Sequence, residues 1–132
     1  AGLNAALAGQ KGLGAIHALA CAVEAELPAD TPHGRMHAAL LPSVLRFNAP
    51  AAGDRYAALS EALRLPGDAD LAESLRALGL RLGLPVSLAP IAGQKGCLGR
   101  VAARAAEDLA NRTNPRHATV RDYHALIEAA AA

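Results

Sequence analysis

Apolar residues recur at three- and four-residue steps along most of this chain, and no segment alternates apolar and polar residues over a useful length. Ile16, Leu19 and Val23, for example, lie on one face if their segment is helical. Only 2% of the 132 residues are aromatic, so the core has to be built from alanine, leucine and valine. Such side chains favour closely packed helices over a sheet with aromatic cross-strand pairs. We predict a single all-α domain over residues 1–132, a bundle of about six or seven helices.

Prolines, glycines and capping residues divide the chain into the predicted helices. Pro28 is expected to end the helix that carries His17. The next helix is predicted from His33 to about Phe47, closed by Asn48 and Pro50. A short helix is predicted over residues 1–9, and further helices over residues 54–63, 71–82, 98–109 and 120–131. Asp68 or Asp70 is expected to cap the helix over 71–82, and Thr119 with Asp122 to cap the last. The apolar residues predicted to face inward include Tyr56, Leu59, Leu63 and Leu109.

Net charge, the length of uncharged runs and cysteine spacing indicate which partners and which compartment to expect. The formal net charge of +1 gives no electrostatic reason to expect nucleic acid or an anionic membrane as a partner. Uncharged runs such as residues 12–23 are shorter than the ~20 residues that span a bilayer. The spacing of Cys21 and Cys97 matches no zinc or redox motif. They can form one disulfide or remain two reduced thiols, and reduced thiols are typical of the cytosol. We expect a cytoplasmic protein with no nucleic-acid or membrane partner.

Two histidines are the strongest candidates for chemistry. His17 lies on an apolar helix after a glycine-rich break, and His33 opens another helix directly after Pro32. Two imidazoles carried to one point by neighbouring helix ends can hold a divalent metal beside a substrate. Catalytic zinc-type sites usually have about three protein ligands, so further ligands have to come from elsewhere. The alternatives are a hydrogen-bonded core residue for His17 and a helix-start role for His33.

His37 follows His33 by one helical turn, and this H-x-x-x-H pair could chelate a metal by itself. His117 and His124 have the surroundings of surface residues.

Five strings occur in order along the chain: GAIHALA, PHG, LLPSVLRFN, RLGLP, and NPR followed by T-x-x-D. In this order and spacing they are similar to the C-terminal helical domain of the iron-containing (group III) alcohol dehydrogenases, within the dehydroquinate synthase-like superfamily. The resemblance covers nearly the whole chain. It implies the all-α, metal-binding C-terminal domain of that fold.

The resemblance also implies a ligand set and a reaction. Members of the family bind a divalent metal, Fe²⁺ or Zn²⁺, through four ligands, one Asp and three His. In chain order, His17 matches the third of these ligands and His33 matches the fourth. The Asp and the first His are expected on a helix upstream of this chain. The glycine-rich loop for NAD(P) is expected in an N-terminal α/β domain that this chain lacks. The implied reaction is hydride transfer between an alcohol or aldehyde and NAD(P), with the metal polarising the oxygen. We expect the chain alone to be inactive, and we expect a homo-oligomer because a missing domain exposes an apolar face.

Two departures from the family pattern leave alternatives open. Cys21 stands where the family often has a second histidine, four residues after the first. The stretch AELPADTP between His17 and His33 is slightly longer than usual. A histidine similar to His37 occurs in the related maleylacetate reductases, so Cys21 and His37 are candidates for a substrate pocket. A metal-independent reductase of that kind is one alternative function, and a degenerate, standalone helical interaction module is another.

Overall fold

A computed structural model describes residues 2–26, 32–89 and 95–131, and six α-helices make up most of them. The helices are α1 (Gly2–Gly9), α2 (Ala15–Glu26), α3 (His33–Ala62), α4 (Leu71–Arg81), α5 (Leu98–Glu107) and α6 (Val120–Ala131). Two short 3-10 helices, Lys95–Cys97 and Leu109–Thr113, precede and follow α5. No strand occurs in the described ranges, which confirms the predicted all-α class. The predicted end of the second helix at Pro28 lies outside the described residues.

Four helices enclose the main core, and α2 is the most deeply buried of them. It packs against α3 and α5, while α6 closes the ring by packing against the same two helices. The buried side chains of α2 are mostly alanine: Ala15, Ala18, Leu19, Ala20, Ala22 and Val23. Alanine lets neighbouring helix backbones approach closely, so the alanine-rich composition explains how one helix is covered on several sides. The expected core of small and aliphatic side chains is therefore observed.

Helix α4 lies outside this ring and packs mainly against α3. A second, smaller apolar cluster joins the two helices through Leu45, Leu71 and Ala72. Of the two aspartates predicted as caps, Asp70 is the one that serves, because its side chain accepts a hydrogen bond from the backbone N–H of Glu73 at 2.7 Å. The last helix begins with the predicted capping box, in which Thr119 and Asp122 bond to each other's backbone N–H groups.

The prediction that a helix ends at Asn48 and Pro50 and a new one starts at Asp54 is wrong. Helix α3 runs without interruption from His33 to Ala62 and contains both Pro42 and Pro50. Each proline removes one N–H donor, but packing against α2, α4 and α6 supports the helix along its length. The Asn48 side chain bonds to Asn114 and is therefore not used to cap a helix end.

Three leucines predicted to face inward are exposed instead. Leu59 lies on the last turn of α3 and Leu63 directly follows the helix, both beyond the main core, and these residues are 41% and 45% exposed. Leu109 is 70% exposed because α5 ends at Glu107 and a 3-10 helix takes the chain away from the helical register. Tyr56 does pack against the small α3–α4 cluster. No helix in the described ranges is both long and apolar enough to cross a bilayer.

A pair of asparagines ties the start of α2 to the middle of α3. The Asn114 side-chain oxygen accepts the backbone N–H of Ala15 at 3.0 Å and the Asn48 amide at 3.1 Å. Its amide nitrogen donates to Asn48 Oδ1 at 2.8 Å and to the carbonyl of Arg116 at 2.6 Å. Asn114 thus satisfies one of the orphan N–H donors at the N-terminus of α2. This is the physical reason for an asparagine in the NPR string.

At its other end α2 is joined to α5 by an ion-pair cluster. The carboxylate of Glu26 accepts hydrogen bonds from Arg100 at 2.8 Å and from Arg104 at 3.2 Å. The hydrogen bonds from Arg100 and then Arg104 lower the pKa of Glu26. Both ends of α2 are therefore tied to other elements by polar contacts.

Replacing Asn114 with alanine should destabilise the protein. It removes the acceptor of the Ala15 N–H and both hydrogen bonds between Asn114 and the buried Asn48 side chain, which costs about 2–3 kcal/mol of the free energy of unfolding. Urea unfolding followed by circular dichroism measures the loss. The control is Arg112→Ala, an exposed residue of the preceding 3-10 helix, which should change the free energy by less than about 0.5 kcal/mol. Equal losses in the two variants would contradict the role given to the asparagine pair.

Candidate metal centre

Two helices bring three histidines to one place. His17 lies on the first turn of α2, while His33 is the first residue of α3 and His37 follows one turn later. Because residues four apart share one face of a helix, His33 and His37 both face the first turns of α2. The ring centroids are 5.2 Å apart for His17 and His33, 4.3 Å for His33 and His37, and 6.0 Å for His17 and His37. All three side chains are half-buried.

The nitrogens of these rings face one another closely. His17 Nδ1 lies 3.3 Å from His33 Nε2. One potential ligand atom from each of the three histidines lies within 4.8 Å of the other two. Part of the longer stretch between His17 and His33, residues 27–31, lies outside the described residues, but His33 is beside His17 all the same. The structure therefore brings both predicted ligands together, and their binding of a metal stays a prediction.

Two further residues of α2 contact the histidines. The Glu24 carboxylate oxygen Oε1 lies 2.7 Å from His33 Nδ1, and Cys21 Sγ lies 3.4 Å from His17 Nε2. Cys21 and Glu24 follow His17 by four and seven residues, so all three share one face of α2. The sequence reasoning missed Glu24, although its spacing from His17 on a predicted helix was a usable signal.

For the neutral forms of His17 and His33, these contacts assign the positions of the ring protons. An ionised carboxylate can only accept, so His33 Nδ1 carries a hydrogen and donates it to Glu24. His33 Nε2 is then an acceptor and receives the Nδ1–H of His17. This leaves His17 Nε2 as the acceptor for the thiol S–H of Cys21. The contacts form one directed chain from Cys21 to Glu24 in which each ring donates once and accepts once.

His37 is the exception in the cluster, because its Nε2 is buried and has no hydrogen-bond partner among the described residues. Burial lowers the pKa of His37, and the nearby rings of His33 and His17 lower it further, so the imidazole is neutral at pH 7. Leaving a buried polar nitrogen unpaired costs about 1–3 kcal/mol. An orphan of this kind calls for an explanation such as a bound ion, a water molecule or a functional role.

Cys21 is a thiol rather than a thiolate near neutral pH. Burial raises its pKa, and the carboxylates of Asp108 and Glu24 raise it further. Since the thiolate is the form that binds metals, Cys21 is a weaker ligand than the imidazoles around it. Its sulfur instead contacts Nε2 of His17.

The other two histidines lie apart from this cluster. His117 is exposed, and His124 on α6 pairs with Glu128 at 3.5 Å. An open cleft borders His17 and is lined in part by Leu13, Asp108 and Leu109. Leu13 and Leu109 present exposed apolar side chains at this cleft. Another cleft, between α3 and α4, contains no histidine.

Comparison with known proteins connects this geometry to a family. Residues 1–131 match the sequence profile described as Fe-containing alcohol dehydrogenase family, C-terminal. The chain is 36% identical to 4-hydroxybutyrate dehydrogenase of Cupriavidus necator over 135 residues, which cover 97% of this chain and 35% of that protein. It is 31% identical to lactaldehyde reductase of Escherichia coli (strain K12) over 127 residues, covering 90% of this chain and 33% of that protein.

A solved structure agrees with the sequence matches. The crystal structure of a 1,3-propanediol oxidoreductase superposes with a TM-score of 0.74 and 26% identity, over 89% of this chain and 32% of the other. The chain thus spans about one third of the length of the relatives it matches. It belongs to the Fe-containing alcohol dehydrogenase family and corresponds to the C-terminal, all-α domain of that family.

Proposed function

We propose that this chain is the metal-binding, substrate-facing domain of an NAD(P)-dependent alcohol dehydrogenase. The observation that carries the proposal is the 3.3 Å approach of His17 Nδ1 and His33 Nε2, on two helices of a chain that belongs to this family. A divalent metal held there would supply a Lewis acid that polarises the oxygen of an alcohol or aldehyde. The resemblance provides the remaining ligands, an Asp and a His outside this chain.

The residues present fit such a metal in both distance and chemistry. Two nitrogens that are each 2.0–2.1 Å from a tetrahedral ion lie about 3.3 Å from each other, which agrees with the observed separation of the two rings. Neutral imidazole suits zinc and iron equally, so the donor set supports Fe²⁺ or Zn²⁺ without choosing between them.

Glu24 and Cys21 prepare the two rings for this role. By accepting Nδ1–H, Glu24 fixes the ring orientation of His33 and keeps the Nε2 lone pair directed toward His17. Metal binding would require His17 to exchange the Nδ1–H tautomer assigned above for the Nε2–H tautomer, in which Nδ1 presents a lone pair and the ring donates to Cys21 Sγ. Each ring then has one nitrogen bonded to a side chain of α2, and its other nitrogen, His17 Nδ1 or His33 Nε2, is available to coordinate a metal.

The rest of the enzyme is proposed from the family and from the exposed apolar surface. NAD(P) would bind to an N-terminal α/β domain, because the relatives are about three times as long as this chain. The cleft beside His17, with Leu13 and Leu109 at its rim, is where we place the substrate and the contact with that domain. The names of the relatives favour a small aliphatic alcohol or aldehyde as substrate.

Two more general properties are proposed on the same basis. The 132-residue chain is expected to be inactive alone and to work in the cytoplasm, where thiols such as those of Cys21 and Cys97 stay reduced. Exposed leucines on and after α4, at Leu78, Leu80 and Leu82, favour association of copies into a homo-oligomer.

A metal-independent reductase similar to the maleylacetate reductases is the second candidate. The observation that favours it is the position of Cys21, which stands at the place of a family histidine with its Sγ 3.4 Å from His17 Nε2, while the ring of His37 lies 6.0 Å from that of His17. The two candidates differ in their need for metal.

The first test removes the proposed ligands. In protein expressed from the complete reading frame that contains this chain, His17→Ala or His33→Ala should lower bound Fe or Zn from about one per chain to near zero. The kcat/KM for NAD(P)-dependent oxidation of a short alcohol should fall by roughly 10³-fold, since several kcal/mol of charge stabilisation is lost. The matched control is His124→Ala on α6, which should keep both metal and activity. Turnover that is equally fast before and after exhaustive chelation would instead favour the metal-independent reductase.

The second test examines the hydrogen bond from His33 to Glu24. In the metal-free 132-residue chain at pH 8, long-range proton–nitrogen NMR should show His33 as the Nδ1–H tautomer. Glu24→Ala removes the acceptor, so the spectrum should move toward a mixture of both tautomers. Glu26→Ala, two residues further along α2, removes the same charge without touching His33 and should leave the tautomer unchanged. An Nε2–H tautomer in the unmodified chain would contradict the assignment.

A further inference from the structure

We propose that His37 is a metal ligand in its own right, so that His17, His33 and His37 form a three-imidazole site within this domain. This rests on the proposed function, and it extends the ligand set beyond the two positions that match the family pattern. In the 132-residue chain by itself, these three rings would hold one divalent transition metal before any ligand from outside the chain joins them.

The first support is the spacing of the two histidines on α3. His33 and His37 are four residues apart on one helix face, the spacing by which two histidines of a single helix chelate zinc in H-E-x-x-H sites. Their ring centroids are only 4.3 Å apart, closer than either is to His17. A cation between His17 and His33 is therefore within reach of His37 after small rotations of the rings.

The second support is the unpaired nitrogen of His37. In the network described above, both nitrogens of His17 and both nitrogens of His33 already have partners. His37 Nε2 is buried without one, although it lies beside two other rings. Coordination of a cation would satisfy this nitrogen, and no other described side chain does so.

The third support is the number and kind of the donors. Three protein ligands with an open fourth position are the usual composition of a catalytic zinc-type site. The three histidines supply three ligands, and one nitrogen from each lies within 4.8 Å of the other two. A neutral imidazole can also coordinate through its unprotonated nitrogen without first losing a proton, whereas a thiol has to lose one.

A competing set consists of Cys21, Glu24 and His33, whose ligand atoms also lie within 4.8 Å of one another. It is the weaker candidate on geometry. Glu24 is already engaged by His33 Nδ1 at 2.7 Å and is exposed, and Cys21 Sγ is already in contact with His17. Binding there would break the contacts that orient both histidines.

The experiment is a Co²⁺ titration of the 132-residue chain, because tetrahedral Co²⁺ absorbs visible light and reports its ligands directly. The unmodified chain should bind one Co²⁺. Loss of a residue that only supports a ligand typically weakens metal affinity by about 10–100-fold. Because His37 is proposed to bind the metal directly, His37→Ala should weaken the affinity for Co²⁺ by more than ~100-fold. The matched control is His117→Ala, an exposed histidine, which should bind as the unmodified chain does. Thermal unfolding of each variant verifies that it is folded.

A gain-of-signal variant tests direct contact independently of affinity. Cys21→Ser first removes the nearby thiol, and His37→Cys is then added to it. A thiolate bound to Co²⁺ produces a near-ultraviolet charge-transfer band, whereas a thiolate that is merely close does not. The double variant should show this band, and Cys21→Ser alone should lack it.

The other outcomes separate the two proposals. If His37→Ala binds Co²⁺ normally while His17→Ala and His33→Ala do not, the three-imidazole site is overturned and the two-histidine role stands. If the unmodified chain binds no Co²⁺, the three-imidazole site is likewise overturned, and the metal content of the complete enzyme decides the proposed function. Unchanged binding in all three alanine variants would contradict both proposals.

Discussion

The geometry of the histidine cluster depends on the position of α2 relative to α3, and the Asn48–Asn114 pair is the contact that sets it. Asn114 accepts the first N–H of α2 and binds the middle of α3 with both ends of its amide. His17 lies two residues after the capped Ala15. Sliding α2 along α3 by even part of a turn would break these hydrogen bonds and move His17 away from His33.

The cluster itself consists of three imidazole rings whose nitrogens lie close to one another. Three imidazoles at these distances cannot all carry a proton charge, since like charges within a few ångströms disfavour the protonated forms. The lowered pKa of His37 is one expression of this repulsion, added to the larger effect of burial. Neutral, closely spaced nitrogen donors are what a divalent cation requires, whereas a hydrogen-bonded network alone leaves His37 Nε2 unsatisfied. The unpaired nitrogen and the short N–N distance thus point to the same chemistry.

Sequence reasoning was most accurate where a signal is local. The predicted face of Ile16, Leu19 and Val23 packs into the core, and the Thr119–Asp122 box begins a helix where predicted. It was wrong at Pro50, where packing keeps α3 continuous through a residue that ends most isolated helices. It was also wrong for Leu109, because a 3-10 turn changes the register after Glu107. In both cases tertiary contacts outweighed a local preference.

By itself, the sequence determined the helical class and the helix caps, and it singled out His17 and His33, which the structure brings together. These follow from spacing within one or two turns and from motifs that can be read in order. Only the tertiary structure decided that Glu24 orients His33 and that His37 belongs with the other two rings. The physical reason is distance along the chain: Asn114 and Ala15 are 99 residues apart, yet their hydrogen bond places the helix that carries His17. No local pattern encodes a contact of that range, because it exists only once the whole bundle has packed.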